Sequence, residues 1–410
     1  MVSKTSAPKN KTNPSAKKAS KRQHSSSSSQ QAAQSSNPSF SAEHHDAVHS
    51  SKEQQQVLLN IFSDAFAAVL SSDRFPVLLG EIKQALYERD FGAAFGREEY
   101  LETYAARWSP TRALCYASIF LGLHRYVDGV MTGLGHAGEL GEATTEGASM
   151  SSEQQQQQQQ FESDDQDQHQ DDGPDEAPAP STTTSQSRTL RMLCIGGCAA
   201  EHVAFASYLQ TTNHRGTLTL LDSGPWAHIS SLLQRAVTTA PPLSKYASAS
   251  ARASNKALLA PGQLDFAFTQ ANVLDMADDK LAEMVGPQPQ IVTLLFTLNE
   301  LYTAVGIGKT TAFLRALGGV LPAQSLLLVV DSPGSYSEAA VGKDKKKYPM
   351  QWLLHHTLLQ SETSSGYAWE RLESHDSVWF RLPEGLRYPI QLESMRYQMH
   401  LYRIHKDSTG

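Results

Sequence analysis

Apolar positions change their spacing repeatedly along the chain, and each change marks a different kind of segment. Residues 1–50 hold almost no large apolar side chain, so nothing there offsets the entropy cost of ordering, and a disordered tail is predicted. From Gln55 onward Val57, Leu58, Ile61, Phe62, Phe66 and Leu70 recur at three- and four-residue intervals, the stripe of an amphipathic helix. Further helical segments are predicted around Phe75 to Tyr87 and Glu98 to Ala106. Ser109 followed by Pro110 reads as the N-cap and first residue of another helix. The pattern predicts a helical domain over 51–134. Residues 135–187 then carry a Gln run, acids and a Pro/Ala/Ser/Thr tract without apolar periodicity, a disordered linker or long insertion.

The remaining residues, 188–410, alternate short apolar runs with helical patterns. Strands are predicted at Leu190 to Ile195, Thr217 to Leu221, Leu264 to Thr269, Gln290 to Thr297 and Ser325 to Val330. Helices are predicted at Ala200 to Leu209, Ala227 to Val237, Lys309 to Leu321 and Met350 to Leu359. Two late strands follow, Val378 to Leu382 and Met395 to Ile404, and the Ser/Ala/Pro-rich stretch 238–263 reads as a surface insertion. Such alternation implies right-handed crossovers and a parallel, doubly wound sheet. Seven strands in this order suit a class I methyltransferase, an α/β Rossmann-like fold, better than a plain dinucleotide-binding fold.

Charge divides along the same boundaries. Residues 1–42 hold seven Lys or Arg and no acid, whereas 129–187 hold twelve Asp or Glu and no Lys or Arg; together they account for most of the net charge of -7. Over 188–410, 20 basic residues face 18 acidic ones, so composition shows no strongly basic nucleic-acid platform. Lys17, Lys18, Lys21 and Arg22 form a short basic cluster in the tail, either a nuclear address, an RNA handle or a solvated tail. Three cysteines, Cys115, Cys194 and Cys198, argue for a reducing compartment, and no second Cys or His pair stands at zinc-ligand spacing, so no metal is expected. No window approaches the roughly 18 apolar residues of a membrane span, and the N-terminus lacks a signal-peptide core; a soluble intracellular protein is expected.

In open α/β sheets a ligand lies beyond the carboxyl ends of the strands. The first such tip reads Cys194-Ile195-Gly196-Gly197-Cys198-Ala199-Ala200-Glu201. Its small residues let the backbone pass close to a ligand, and the next helix begins there, which makes Gly196, Gly197 and Glu201 candidate cofactor contacts. Asp222 ends the second strand 26 residues after Gly196, the usual reach of an acid that accepts hydrogen bonds from ribose hydroxyls; capping of the next helix is the structural alternative. Such an acid serves either NAD or S-adenosylmethionine, and the missing third glycine favours the smaller ligand. At the third tip Asn272 and Val273 offer an amide and a backbone N–H for an adenine edge, or ordinary turn chemistry. The fourth tip brings Asn299, Glu300 and Tyr302 together, and the fifth carries Asp331 and Tyr336. Gly306-Ile307-Gly308-Lys309-Thr310 resembles the end of a phosphate-binding loop, but Thr303 stands where that motif needs glycine.

The run Val292-Thr293-Leu294-Leu295-Phe296-Thr297-Leu298-Asn299-Glu300-Leu301-Tyr302 resembles a fungal family of S-adenosylmethionine-dependent methyltransferases, the one containing the 25S rRNA uridine-N3 methyltransferase. The likeness continues in the stretches Arg107 to Tyr116, Tyr348 to Leu354 and Glu393 to Gln398, and spans about 55–134 and 188–406. It departs at the glycine-rich turn, diluted here to Gly196-Gly197-Cys198-Ala199-Ala200, whose Cys and Ala are still small. The resemblance implies methyl transfer from S-adenosylmethionine to N3 of a uridine in large-subunit rRNA or a pre-ribosome, in the nucleus or nucleolus and also the cytoplasm. Uracil N3 carries a weakly acidic proton that must be removed. Glu300 is then the candidate base and Asn299 the orienting amide, with Tyr302 or Tyr336 as a stacking face. Lys343, Lys345, Lys346 and Lys347, together with Arg107, Arg112 and Arg125, are candidate RNA contacts. The alternatives are a methyltransferase of a protein or small molecule, and a non-catalytic ribosome-assembly scaffold with the same fold.

Overall fold

The computed structural model describes residues 50–132, 189–334, 336–341, 344–360 and 366–407, without the side chains of 336–347. The expected tail and acidic linker, and the side chains of the lysine run and Tyr336, therefore lie outside the described residues.

Among the described residues six helices precede the sheet: α1 (Lys52–Ala65), α2 (Ala67–Leu70), α3 (Phe75–Glu88), α4 (Phe91–Phe95), α5 (Glu98–Gly122) and α6 (His124–Thr132). A capping box starts α1, with the Ser51 hydroxyl accepting from the Gln54 backbone and the Gln54 side chain accepting from the Ser51 N–H, so two of the helix's free donors are satisfied. The Ser109–Pro110 pair does not start a helix. Instead α5 runs through it without a break. Pro110 has no N–H to give the Ala106 carbonyl, a loss that normally breaks a helix. Here the Tyr388 hydroxyl donates to that carbonyl at 2.8 Å, so the vacated acceptor is satisfied from the far end of the chain.

The sheet region follows as β1 (Thr189–Ile195), α7 (Ala200–Thr212), β2 (Arg215–Asp222), α8 (Ala227–Thr238), α9 (Ala249–Ser254), β3 (Leu264–Gln270), α10 (Asp278–Val285), β4 (Ile291–Leu295), α11 (Leu298–Val305), α12 (Ile307–Val320), β5 (Leu326–Asp331), β6 (Tyr336–Val341), β7 (Asp344–Pro349), α13 (Met350–Leu359), β8 (Tyr367–Phe380) and β9 (Met395–Lys406). Seven of these strands form one sheet in the order β3-β2-β1-β4-β5-β9-β8, and β6 pairs with β7 as a separate hairpin. The first five are parallel, and β9 runs against both β5 and β8. The sheet is therefore mixed, with its antiparallel strand formed by the last residues of the chain.

Strands β4 and β5 are buried at every position, which explains their uninterrupted apolar runs. Alternate residues serve opposite faces: Met192, Cys194, Leu326, Leu328 and Val330 join a core with α5, α7 and α8, while Leu193, Ile195, Leu327 and Val329 join one with α10, α12 and α13. Helix α5 lies on α7 and is covered in turn by α1, α3 and α4. It is buried on nearly all sides, so its sequence lacks a polar stripe.

Strand β8 begins at Tyr367, eleven residues before the predicted late strand at Val378. Its polar middle, Glu370 to Ser377, and two register shifts, between Arg371 and Glu373 and between His375 and Val378, break the two-residue alternation that a sequence reading depends on. Helices α10 and α11 and the β6–β7 hairpin were likewise not foreseen. Within 238–263 lies the short helix α9, and Leu259 is buried in the first core.

Tyr388→Phe would leave the Ala106 carbonyl without a donor and is expected to lower the unfolding free energy by about 1–3 kcal/mol. In a Pro110→Ala background, where residue 110 regains its N–H, the same change should cost less. A double-mutant cycle in chemical denaturation measures the difference, and equal costs in both backgrounds would sink the explanation.

Candidate active site

At the end of β1 the chain turns through Gly196 with φ of +77°, a conformation that disfavours a side chain. A Cβ there would stand 2.2 Å from Thr297 Cγ2, and one on Gly197 would stand 2.5 Å from the Glu201 carboxylate. The Thr297 hydroxyl also donates to the Gly196 carbonyl at 2.9 Å. The glycines are thus required by two neighbours, the β4 tip and the first turn of α7, which close over the same turn. Phe296, at the β4 tip, adopts φ of +60°, an outlier for a bulky residue and of the kind that collects at functional sites.

A cavity of about 390 Å³ opens at these tips, and Gly196, Gly197, Glu201, Asp222, Asn272, Val273 and Glu300 all line it. Asp222 accepts from the Gly224 N–H through Oδ1 at 2.7 Å. The Asn272 side chain is engaged locally, accepting from the Leu274 N–H at 3.1 Å and donating to Asp275 at 2.7 Å. Asn299 is not part of the lining. It sits in the first turn of α11, where its backbone N–H donates to Asp331 Oδ2 at 2.9 Å.

The lining also contains residues that the sequence reading had not connected with the strand tips: Phe91 and Phe95 of α4, and Tyr104, Ser109 and Arg112 of α5. Arg112 donates to the Tyr104 hydroxyl, and its guanidinium lies 4.5 Å from the centre of the Phe296 ring. It therefore points into the cavity and not onto an outer RNA surface. Arg107, also expected on such a surface, is 8% exposed and pairs with Glu393 at 2.8 Å. Arg125 pairs with Glu373 at 2.8 Å. The only sequence signal for the inward role of Arg112 is its position in a helix apolar on nearly every side.

Electrostatics of the cavity are dominated by acids. Among the lining residues Arg112 is the sole cation, against Glu201, Asp222 and Glu300. Desolvation pushes Glu300 up to about 8; nearby Asp331 and Asp222 add to this, and Arg112 opposes it. Burial likewise raises Glu201 to about 7, and Asp222 and Asp331 to about 6. A site that desolvates this many carboxylates favours a cationic ligand, because positive charge restores their ionised form. S-adenosylmethionine, with an ammonium and a sulfonium, has that character. The close glycine turn, the acid ending β2 and the cavity volume, which falls in the range of about 300–1,000 Å³ for small-molecule sites, all fit it.

The family model described as "Putative SAM-dependent methyltransferase" matches residues 62–403. The chain belongs to this family. Its cofactor is S-adenosylmethionine, and its sheet has the class I, Rossmann-like methyltransferase arrangement. The methyltransferase is 27% identical over 344 residues to the 25S rRNA (uridine(2843)-N(3))-methyltransferase of Saccharomyces cerevisiae, covering 78% of this chain and 76% of that protein. Among solved structures, an O-methyltransferase family protein from Burkholderia thailandensis aligns with 80% of this chain and 70% of its own at 12% identity and a TM-score of 0.32. The antibiotic-resistance methyltransferase Kmr aligns with 54% of this chain and 90% of its own at 11% identity and a TM-score of 0.31. Among the described residues, no helix of the methyltransferase is long and apolar enough to cross a membrane.

Two outcomes follow from the acid-lined cavity. Asp222→Ala is expected to weaken S-adenosylmethionine binding by about 1.5–3 kcal/mol in calorimetry, the scale of charge-assisted hydrogen bonds; unchanged affinity would place the ribose contact elsewhere. The second concerns pH. Between pH 7 and 8 the folded Glu300, raised to about 8, still holds a proton that the unfolded carboxyl has released. The folded state then binds more protons, so the stability of the cofactor-free protein falls as pH rises through this window. The buried histidines His202 and His400, lowered to about 4 and about 3, have the opposite sign but act below their unfolded value of about 6.5. Glu300→Gln should flatten the decline between pH 7 and 8, and an unaltered slope would show that Glu300 ionises normally.

Proposed function

We propose that this methyltransferase methylates N3 of a uridine in large-subunit rRNA, in the nucleus or nucleolus. The observation that carries the reading is Glu300: a desolvated carboxyl in the wall of the cofactor cavity, which a cationic cofactor would return to its carboxylate form, is placed to accept a weakly acidic imide proton. The yeast relative, a 25S rRNA (uridine(2843)-N(3))-methyltransferase, supports the same choice of acceptor.

S-adenosylmethionine supplies an electrophilic methyl group on a sulfonium. The chain's own residues do the rest. Gly196 and Gly197 bring backbone close to the cofactor, Asp222 accepts from its ribose hydroxyls, and Glu201 adds negative charge to the pocket. Asn272 and Val273 border the base-binding end. Glu300 accepts the N3 proton as the nitrogen lone pair becomes available, and the Arg112 guanidinium stabilises negative charge developing on the flanking carbonyl oxygens. Asn299, the residue before Glu300 at the start of α11, holds that turn in place through its backbone N–H to Asp331. The target uridine is unpaired or flipped, since N3 of a paired base is enclosed by its partner. No metal takes part in this scheme.

Nucleoside mass spectrometry of large-subunit rRNA from cells with and without the protein tests the assignment: 3-methyluridine should disappear from one site in its absence. With purified enzyme, Glu300→Gln should lower turnover by roughly 10²- to 10⁴-fold, the contribution of a general base. Part of the loss should return at high pH, where uracil N3 ionises unaided. Full activity of Glu300→Gln at neutral pH would remove it from the mechanism.

A further inference from the structure

The outer strands β9 and β8 rise above the rest of the sheet at its carboxyl edge. Asp331, the last residue of β5, pairs with Gln398 of β9, and the β9–β8 ladder continues past it through Val378↔Tyr397, Trp379↔Arg396 and Phe380↔Met395. Along this extension the side chains alternate. Phe380, Met395 and Tyr397 pack on the core shared with the N-terminal helices, which leaves Trp379 and Arg396 on the opposite face. Trp379 is 53% exposed. Two guanidiniums accompany it: those of Arg381 and Arg396 lie 5.1 and 5.9 Å from its ring centre. Arg396 is held in place by donating from Nε to Ser377 Oγ at 2.6 Å. Neither arginine has a carboxylate partner among the described residues.

An exposed indole flanked by two guanidiniums that meet no carboxylate among the described residues, on the edge of the sheet where the cofactor cavity opens, is the combination that binds unpaired nucleotides: the ring stacks a base and the guanidiniums meet phosphates. We propose that Trp379, Arg381 and Arg396 form a stacking clamp for single-stranded RNA flanking the target uridine. This rests on the rRNA reading above and deepens it. Three interstrand spacings separate β4 from β8, about 14 Å. That is the length of about four nucleotides at the stacked spacing of about 3.4 Å, so the clamp grips the strand a few nucleotides from the base presented to Glu300. The other strongly exposed tryptophan, Trp352 at 48%, is stacked with both Tyr348 and His356, at 5.2 and 4.8 Å between ring centres. Its faces are already occupied, and it serves as the comparison.

The test measures binding of a short labelled oligouridine to the full-length protein, with S-adenosylmethionine calorimetry as the check on folding. Trp379→Ala should weaken oligouridine binding at least about fivefold, the lower end for loss of one base–aromatic stack, and Trp379→Phe should restore most of it. The double change Arg381→Ala and Arg396→Ala should flatten the slope of log K against log salt by about 1.4, at about 0.7 per phosphate on a single strand. All three variants should keep wild-type cofactor affinity. Wild-type oligouridine affinity in Trp379→Ala, or an equal loss in Trp352→Ala, overturns the clamp and leaves the patch to a protein partner. Methylation of large-subunit rRNA by the wild-type enzyme is scored separately. If rRNA is methylated and the clamp variants bind normally, the clamp alone fails. If the variants lose oligouridine and the wild type leaves rRNA unmodified, the clamp stands and the substrate assignment fails.

Discussion

One buried guanidinium sets the character of the cavity. Among the described residues Arg112 is its only cationic side chain, and Glu201, Glu300 and Asp331 all feel its charge. It is too little to balance them. The remaining carboxylates are raised toward neutrality by desolvation, and a cationic cofactor would return them to their charged form. The same imbalance gives Glu300 both a high proton affinity and a reason to change it when a ligand arrives.

Placing Arg112 there depends on α5, and α5 depends on residues far away in sequence. The segment between β8 and β9 reaches back to the N-terminal helices in three places: Tyr388 donates to the Ala106 carbonyl, Glu393 pairs with Arg107, and Arg387 exchanges two backbone–side-chain hydrogen bonds with Gln56 of α1. The first two satisfy the buried Ala106 carbonyl and the buried Arg107 guanidinium, groups costly to leave unpaired, and the third ties the segment to α1 at the surface. The helices before the sheet are therefore part of the cavity's walls. They supply Tyr104 and Arg112 to the cavity, and α4 supplies Phe91 and Phe95.

The strand tips show a related economy of position. Thr297 closes on Gly196, Glu201 on Gly197, and Asp331 accepts from the Asn299 N–H. Neighbouring tips thus hold one another in shape before any ligand is considered. Asn299 contributes its backbone to this frame, which separates it from Glu300 although the two are adjacent in sequence.

What the sequence determined by itself was the alternation of strands and helices over 188–410 and the strand tips that line the cavity. Both are local signals: apolar runs long enough for buried strands, and Gly196-Gly197 and Asp222 at the ends of two of them. Gly196, Gly197, Glu201, Asp222, Asn272, Val273 and Glu300 do share one cavity. The tertiary structure alone decided the rest. Pro110 sits inside a helix because a distant hydroxyl replaces its missing N–H; Arg107 and Arg112 turn inward because α5 is enclosed; β8 starts early because bulges hide its alternation. The deciding partner ranges from the next strand, as in Val378↔Tyr397, to a residue 282 positions away, as in Tyr388 and Ala106, and a pattern read over a short window carries no information about who that partner is.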